Sequence, residues 1–133
     1  MKIESKKVSV PAQPEKVFEY ISDLNNFRSL LPEDRISEWE SNQNYCSFKV
    51  QGTATIDLKL EEKDAFSRLL LRSGDKSPFS FTLEVFLVEA NGQTEAHQLM
   101  NADINPFLKM MVEKPLANLF NFIADRLAEK FSS

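Results

Sequence analysis

The sequence predicts an α+β domain in which one long helix covers one face of an antiparallel sheet. Residues 35–104 repeat a two-residue hydrophobic period, broken only by short turns, as strands do. Residues 106–131 have a helical period instead. No other segment is long enough to cover the apolar face that such a sheet must bury.

The size and composition of the chain limit its class. Its 133 residues suit a single domain, which we expect to span residues 1–133. A net charge of −4 disfavours nucleic acid as a partner, because such binding depends on Lys and Arg neutralising phosphates. The single cysteine, Cys46, suits a reducing compartment, and the first residues lack the apolar core of a signal peptide. We therefore expect a cytoplasmic protein without stable membrane insertion.

The N-terminal quarter predicts one strand and two short helices. Residues 2–10 form a polar edge strand whose apolar positions do not alternate cleanly, which allows a bulge. Residues 14–31 follow a helical period that breaks near Asp23 and stops at Pro32. Pro14 suits the first turn of the first helix.

The central segment predicts six strands, which give a sheet of about seven with the first strand. The turns between them are short, as in antiparallel neighbours, and Asn91-Gly92 is a typical hairpin turn. The predicted strands are residues 35–41, 45–51, 53–62, 65–73, 79–88 and 93–104.

The C-terminal helix is predicted over residues 106–131. Asn105 can cap it, and Pro106 suits its first position. Pro115 removes one backbone donor and predicts a kink or restart there. An interruption of this kind would lift half of the helix from the sheet and leave a gap.

The opening and the tail of the chain carry a family resemblance. The segment KVSVPAQPEKVFEYISDLNNFRSLLP resembles the first strand, proline-marked helix and short second helix of the START-like, or SRPBCC, superfamily. The tail NPFLKMMVEKPLANLFNFIADRLAEKF is similar to the C-terminal helix of its small bacterial members. The element order extends the resemblance over nearly the whole chain. It implies the pollen-allergen-like, helix-grip fold, in which a curved sheet wraps the long helix around a cavity for an apolar or amphipathic molecule.

A ligand site is therefore expected between the sheet and the C-terminal helix. Its affinity would come from buried apolar surface, at about 25 cal/mol per Å². The candidate lining residues are Phe27, Leu31, Trp39, Phe48, Ile56, Leu58, Phe81, Leu83, Met100, Leu108, Met111, Pro115 and Leu119. We predict no catalytic residue, no cofactor and no metal, since one His and one Cys on different strands are a poor start for a metal site.

Several polar residues have two interpretations. Strand alternation groups His97, the only histidine, with Glu95 and favours a solvent-facing side chain over a general base. Arg68 and Arg72 share one strand face, where solvent exposure is favoured over anchoring a ligand carboxylate. Trp39 either caps the cavity or is a half-buried strand aromatic.

Two other function classes remain open beside ligand binding. A polyketide cyclase/dehydratase-like enzyme would need polar side chains turned into the cavity. The candidates for that role are His97, Arg68, Arg72, Tyr45 and Asp57. A chaperone-activator-like interaction module would instead have no cavity and an exposed apolar patch, for which Phe86 and Tyr20 are candidates. We expect a monomer or a weak homodimer.

Overall fold

The computed structural model describes residues 1–132, which form an antiparallel sheet with two α-helices and one 3₁₀ helix. The elements along the chain are β1 Lys2–Glu4, β2 Val8–Val10, α1 Pro14–Ile21, the 3₁₀ helix Leu24–Leu30, β3 Ile36–Asn42, β4 Tyr45–Val50, β5 Thr55–Asp64, β6 Arg68–Ser73, β7 Ser80–Ala90, β8 Gln93–Asp103 and α2 Pro106–Lys130. The predicted helix-grip architecture is confirmed.

The sheet has eight strands because the predicted first strand is divided. Its order is β1-β8-β7-β6-β5-β4-β3, and β2 also pairs with β8. Ser5 lies between β1 and β2, where its N–H donates to the Gln98 carbonyl at 2.9 Å and its Oγ accepts from Gln98 N at 2.9 Å. This connection is the irregularity that the imperfect alternation of residues 2–10 allows.

Two further irregularities interrupt the ladder toward the β3 edge. The β3–β4 register shifts between Ser37 and Glu40, and the β5–β6 register shifts between Leu60 and Glu62. Such shifts bend a strand and increase its twist. The sheet consequently curves around the helix.

The helix α2 continues through Pro115, so the predicted restart at this residue is wrong. Pro115 still cannot donate a hydrogen bond to the Met111 carbonyl. The helix is held on both sides of the proline because Val112 and Leu116 are buried in the core. Its start is capped as predicted, with Leu108 N donating to Asn105 Oδ1 at 2.8 Å.

The two halves of α2 differ in their packing. From Val112 onward the helix buries one apolar stripe against the inner face of the sheet. Before it, Phe107, Met110 and Met111 are 73%, 80% and 60% exposed. The first turns of the helix therefore contribute little to the core.

Candidate functional site

Two small apolar voids lie between the sheet and α2. We call them the Gln98 void and the Met100 void, and each measures about 10 Å³. The Gln98 void is lined by Ile21, Phe27, Leu30, Val85, Ala96, His97, Gln98, Ile123, Ala124 and Leu127. The Met100 void is lined by Phe27, Phe48, Ile56, Leu58, Phe81, Leu83, Met100, Leu116, Leu119, Phe120 and Ile123. Each void is about the size of a single water molecule.

Phe27 and Ile123 line both voids, so these two side chains lie between them. Phe27 comes from the 3₁₀ helix, in which residues three apart fall on one face. Leu24, Phe27 and Leu30 are accordingly all buried. Ile123 reaches the same point from the well-packed half of α2.

Eight of the thirteen predicted lining residues meet around the Met100 void. They are Phe27, Phe48, Ile56, Leu58, Phe81, Leu83, Met100 and Leu119. The other five lie outside both linings: Leu31 is buried, Trp39, Leu108 and Pro115 are half-buried, and Met111 lies at the surface. The first half of α2 does not line the interior, since its large apolar side chains Phe107, Met110 and Met111 lie at the surface.

The predicted set contains only Phe27 of the Gln98 void, so the other residues of that lining were missed, Gln98 and Ile123 among them. Around the Met100 void it lacks Leu116, Phe120 and Ile123. For Gln98 the signal was present. Alternation along β8 places it in the inward row with Ala96 and Met100, where a polar residue is unexpected. A polar side chain between the apolar Ala96 and Met100 of that row is the signal that would have identified it.

Gln98 is the main polar feature of the interior and is only 4% exposed. Its Nε2 donates to the Phe120 carbonyl in α2 at 2.9 Å. Its Oε1 is buried and accepts no hydrogen bond. The amide nitrogen therefore links the sheet to α2, and the amide oxygen remains an unpaired acceptor.

Trp39 lies on the edge strand β3, outside the lining of the Met100 void. Its ring stacks on Phe48 with centroids 6.0 Å apart and planes 16° apart. The Arg28 guanidinium lies 5.9 Å from the centre of the ring, and Nε1 donates to Ser41 Oγ at 3.1 Å. Of its two interpretations, the geometry matches the half-buried strand aromatic.

The other polar candidates lie on the outer face of the sheet. His97 stacks on Phe86 at 5.1 Å, and its Nε2 lies 3.4 Å from the Glu4 carboxylate. Arg68 Nε donates to Glu84 at 2.7 Å.

Arg72 is also paired on that face, where its Nε donates to Glu61 at 2.7 Å. These contacts satisfy the cations with carboxylates of the sheet. They bring no polar cluster into the interior. A cyclase-like active site would require such a cluster there.

Asp57 belongs to the outer face as well, but the loop after β6 covers it. Its carboxylate accepts from the backbone N–H groups of Gly74 at 2.9 Å, Ser77 at 3.1 Å and Lys76 at 3.2 Å, and from the Ser77 hydroxyl. Tyr45 OH donates at 3.5 Å. Burial alone would raise the pKa of Asp57, but the hydrogen bonds from Ser77, Lys76 and Gly74 together lower it below its ordinary value. The carboxylate holds the loop against the sheet.

Cys46 is fully buried beside Phe48 and Leu58. Burial raises the pKa of its thiol to about 12, and the charge of Asp57 acts in the same direction. A thiol of this kind stays protonated and is a poor nucleophile.

The residues proposed from sequence for an interaction patch are not strongly exposed. Phe86 and Tyr20 are both half-buried, and Tyr20 packs edge-on against Phe131 at 5.7 Å. The prominent exposed apolar side chains of α2 are instead Phe107, Met110 and Met111.

Within residues 1–132, no three His, Cys, Asp or Glu side chains are grouped so that they could hold a metal ion. In the same part of the chain, no helix combines the length and the apolar composition needed to cross a membrane.

Comparisons with known proteins extend over nearly the whole chain. The family model described as "Polyketide cyclase / dehydrase and lipid transport" matches residues 2–132. A search of curated proteins finds no match.

Solved structures show the same fold at low sequence identity. A protein from Chromobacterium violaceum is 10% identical with a TM-score of 0.77, covering 100% of this chain and 99% of its own. A conserved protein from Geobacillus kaustophilus is 9% identical with a TM-score of 0.73, covering 99% and 95%. A START superfamily protein from Mycobacterium smegmatis is 13% identical with a TM-score of 0.69, covering 98% and 94%. The chain has a START-like fold and belongs to the polyketide cyclase/dehydrase and lipid transport family.

Proposed function

We propose that this protein binds a hydrophobic or amphipathic small molecule between the sheet and α2. The observation that carries the proposal is the pair of adjacent apolar voids separated by Phe27 and Ile123. A side-chain rotation at this partition would join them into one elongated space. Membership of a family described partly by lipid transport supports the same class of ligand.

Binding requires the interior to open. Pockets for small ligands measure about 300–1,000 Å³, whereas each void measures about 10 Å³. The first half of α2 is the part that can move at least cost, because Phe107, Met110 and Met111 make little core contact. Pro115 lowers the cost of this movement further, since it leaves the Met111 carbonyl without its helical hydrogen bond.

A fluorescence titration with N-phenylnaphthylamine tests the proposal, because this neutral probe becomes bright in apolar surroundings. We expect saturable binding with one probe per chain. Phe27→Ala should bind about tenfold more tightly, because it removes the partition and creates a cavity that no longer has to be opened. Phe27→Leu should show a smaller gain in the same direction and serves if the alanine variant does not fold.

The matched control is Phe18→Ala. Phe18 is buried in the same core but lines neither void. It should lose comparable stability without any gain in affinity. The absence of saturable binding in both the wild type and the folded Phe27 variants would overturn the proposal. An equal gain in Phe18→Ala would also contradict it, since the probe would then report a loosened core.

A further inference from the structure

We propose that Gln98 makes the interior selective for neutral apolar molecules that carry one hydrogen-bond donor, a hydroxyl or an N–H. This inference rests on the proposed ligand binding and adds the chemistry of the ligand. It starts from the buried Gln98 Oε1, which lacks a partner in a residue that lines the void.

The orientation of the Gln98 amide is fixed by its neighbour in α2. The Phe120 carbonyl can only accept a hydrogen bond, so the nitrogen of the amide must face it, at 2.9 Å. Exchanging the two amide atoms would place two acceptors against each other. The group left free is therefore an acceptor, and only a donor can satisfy it.

A ligand donor fits this acceptor better than water does. A buried water usually makes two to four hydrogen bonds with polar groups. The side chains around Gln98 in this void are apolar, since the side chain of His97 lies on the outer face. A hydroxyl attached to an apolar body needs only the one bond that Gln98 offers. The apolar body contacts the other side chains of the lining.

The linings also disfavour an anionic group at this place. Neither a lysine nor an arginine lines either void in the described part of the chain. A carboxylate would bring its own acceptors against Oε1 and would lose its hydration without a partner. We therefore place the donor of the ligand at Gln98 and its apolar body beyond Phe27, toward Phe48 and Leu58 of the Met100 void.

The test compares α-naphthol with α-methylnaphthalene, which share one ring system and differ in the hydroxyl donor. Calorimetry gives the ratio of their two dissociation constants for each protein. Gln98→Met keeps the length of the side chain and removes the acceptor. We expect the preference for naphthol to fall about tenfold in this variant, as expected for one hydrogen bond to a buried acceptor.

Thr94→Val is the matched control. Thr94 is another buried polar residue on β8, but its hydroxyl donates to the Ala12 carbonyl at 2.7 Å and it lines neither void. This variant should keep the wild-type ratio. Gln98→Leu gives the same comparison if Gln98→Met does not fold.

The outcomes separate the two proposals. If both probes bind and the ratio is the same in the wild type and Gln98→Met, the selectivity of Gln98 is refuted while ligand binding stands. That is also the result expected if a water satisfies Oε1. If neither probe binds the wild type, ligand binding fails and the selectivity fails with it.

Discussion

Asp57 and Gln98 are polar residues buried to nearly the same degree on opposite faces of one sheet, at 2% and 4% exposure. The Asp57 carboxylate accepts hydrogen bonds from three backbone N–H groups and a hydroxyl. The Gln98 amide donates one bond and leaves its oxygen unpaired. Buried polar groups are nearly always satisfied, so an exception calls for an explanation. The hydrogen bonds of Asp57 explain its burial by the loop that it holds, whereas the unpaired oxygen of Gln98 supports the ligand contact proposed above.

The largest expected effect is on the outer face. Asp57→Ala should lower the free energy of unfolding by about 3 kcal/mol, because it leaves several covered donors without their charged partner. Urea unfolding at neutral pH measures the loss. The neighbouring Asp75→Ala, at an exposed position of the same loop, should change stability by less than about 0.5 kcal/mol. A similar small loss in both variants would show that the carboxylate does not hold the loop.

The close approach of the loop gives a second test. An added Cβ at Gly74 would collide with Asp57 Oδ2. Gly74→Ala should therefore cost about 2 kcal/mol, in the upper part of the usual range for point mutations. In the Asp57→Ala background the same change should cost less, since the colliding atom is gone. If the stability losses of Gly74→Ala and Asp57→Ala simply add in the double variant, the cost of Gly74→Ala does not come from contact with Asp57.

The ionisation of Asp57 predicts a pH dependence. Its pKa is lower in the folded state than in the unfolded chain, so its stabilisation is complete above the unfolded pKa of about 4 and is lost as the pH falls through the folded value. Wild-type stability should therefore decline more steeply than that of Asp57→Asn when urea unfolding is repeated from neutral to acidic pH. Parallel declines would assign the acid sensitivity to other groups.

The smallest expected effect is on the inner face. Gln98→Met should change the free energy of unfolding by less than about 1 kcal/mol, because the lost bond to Phe120 is offset by removal of an unsatisfied acceptor. Thermal or urea unfolding without ligand measures it. A loss as large as that of Asp57→Ala would mean that Gln98 is a structural residue, and the contrast between the two faces would disappear.

Periodicity predicted most of the fold and part of the site. Alternation placed Phe81 and Leu83 inside and Arg68 outside, because strand side chains alternate wherever one face is buried. It could not predict that a loop covers Asp57, since that depends on backbone donors brought from residues 74–77.

The helix shows the other limit of sequence reasoning. Pro115 predicted an interruption, but packing of Val112 and Leu116 on either side keeps one continuous helix. The volume of the interior could not be predicted from the sequence either, because the packing of a core depends on differences as small as a single methylene group.

Ligand binding inside the sheet–helix core is the central claim, and the four methionines of the chain test it most directly. Met100 lines the Met100 void, whereas Met110 and Met111 are exposed at the start of α2. With methyl-labelled methionine, a titration with α-methylnaphthalene should shift the Met100 methyl resonance to saturation and show contacts between the probe and that methyl group. Shifts confined to Met110 and Met111, or no shifts at all, would contradict binding in the interior.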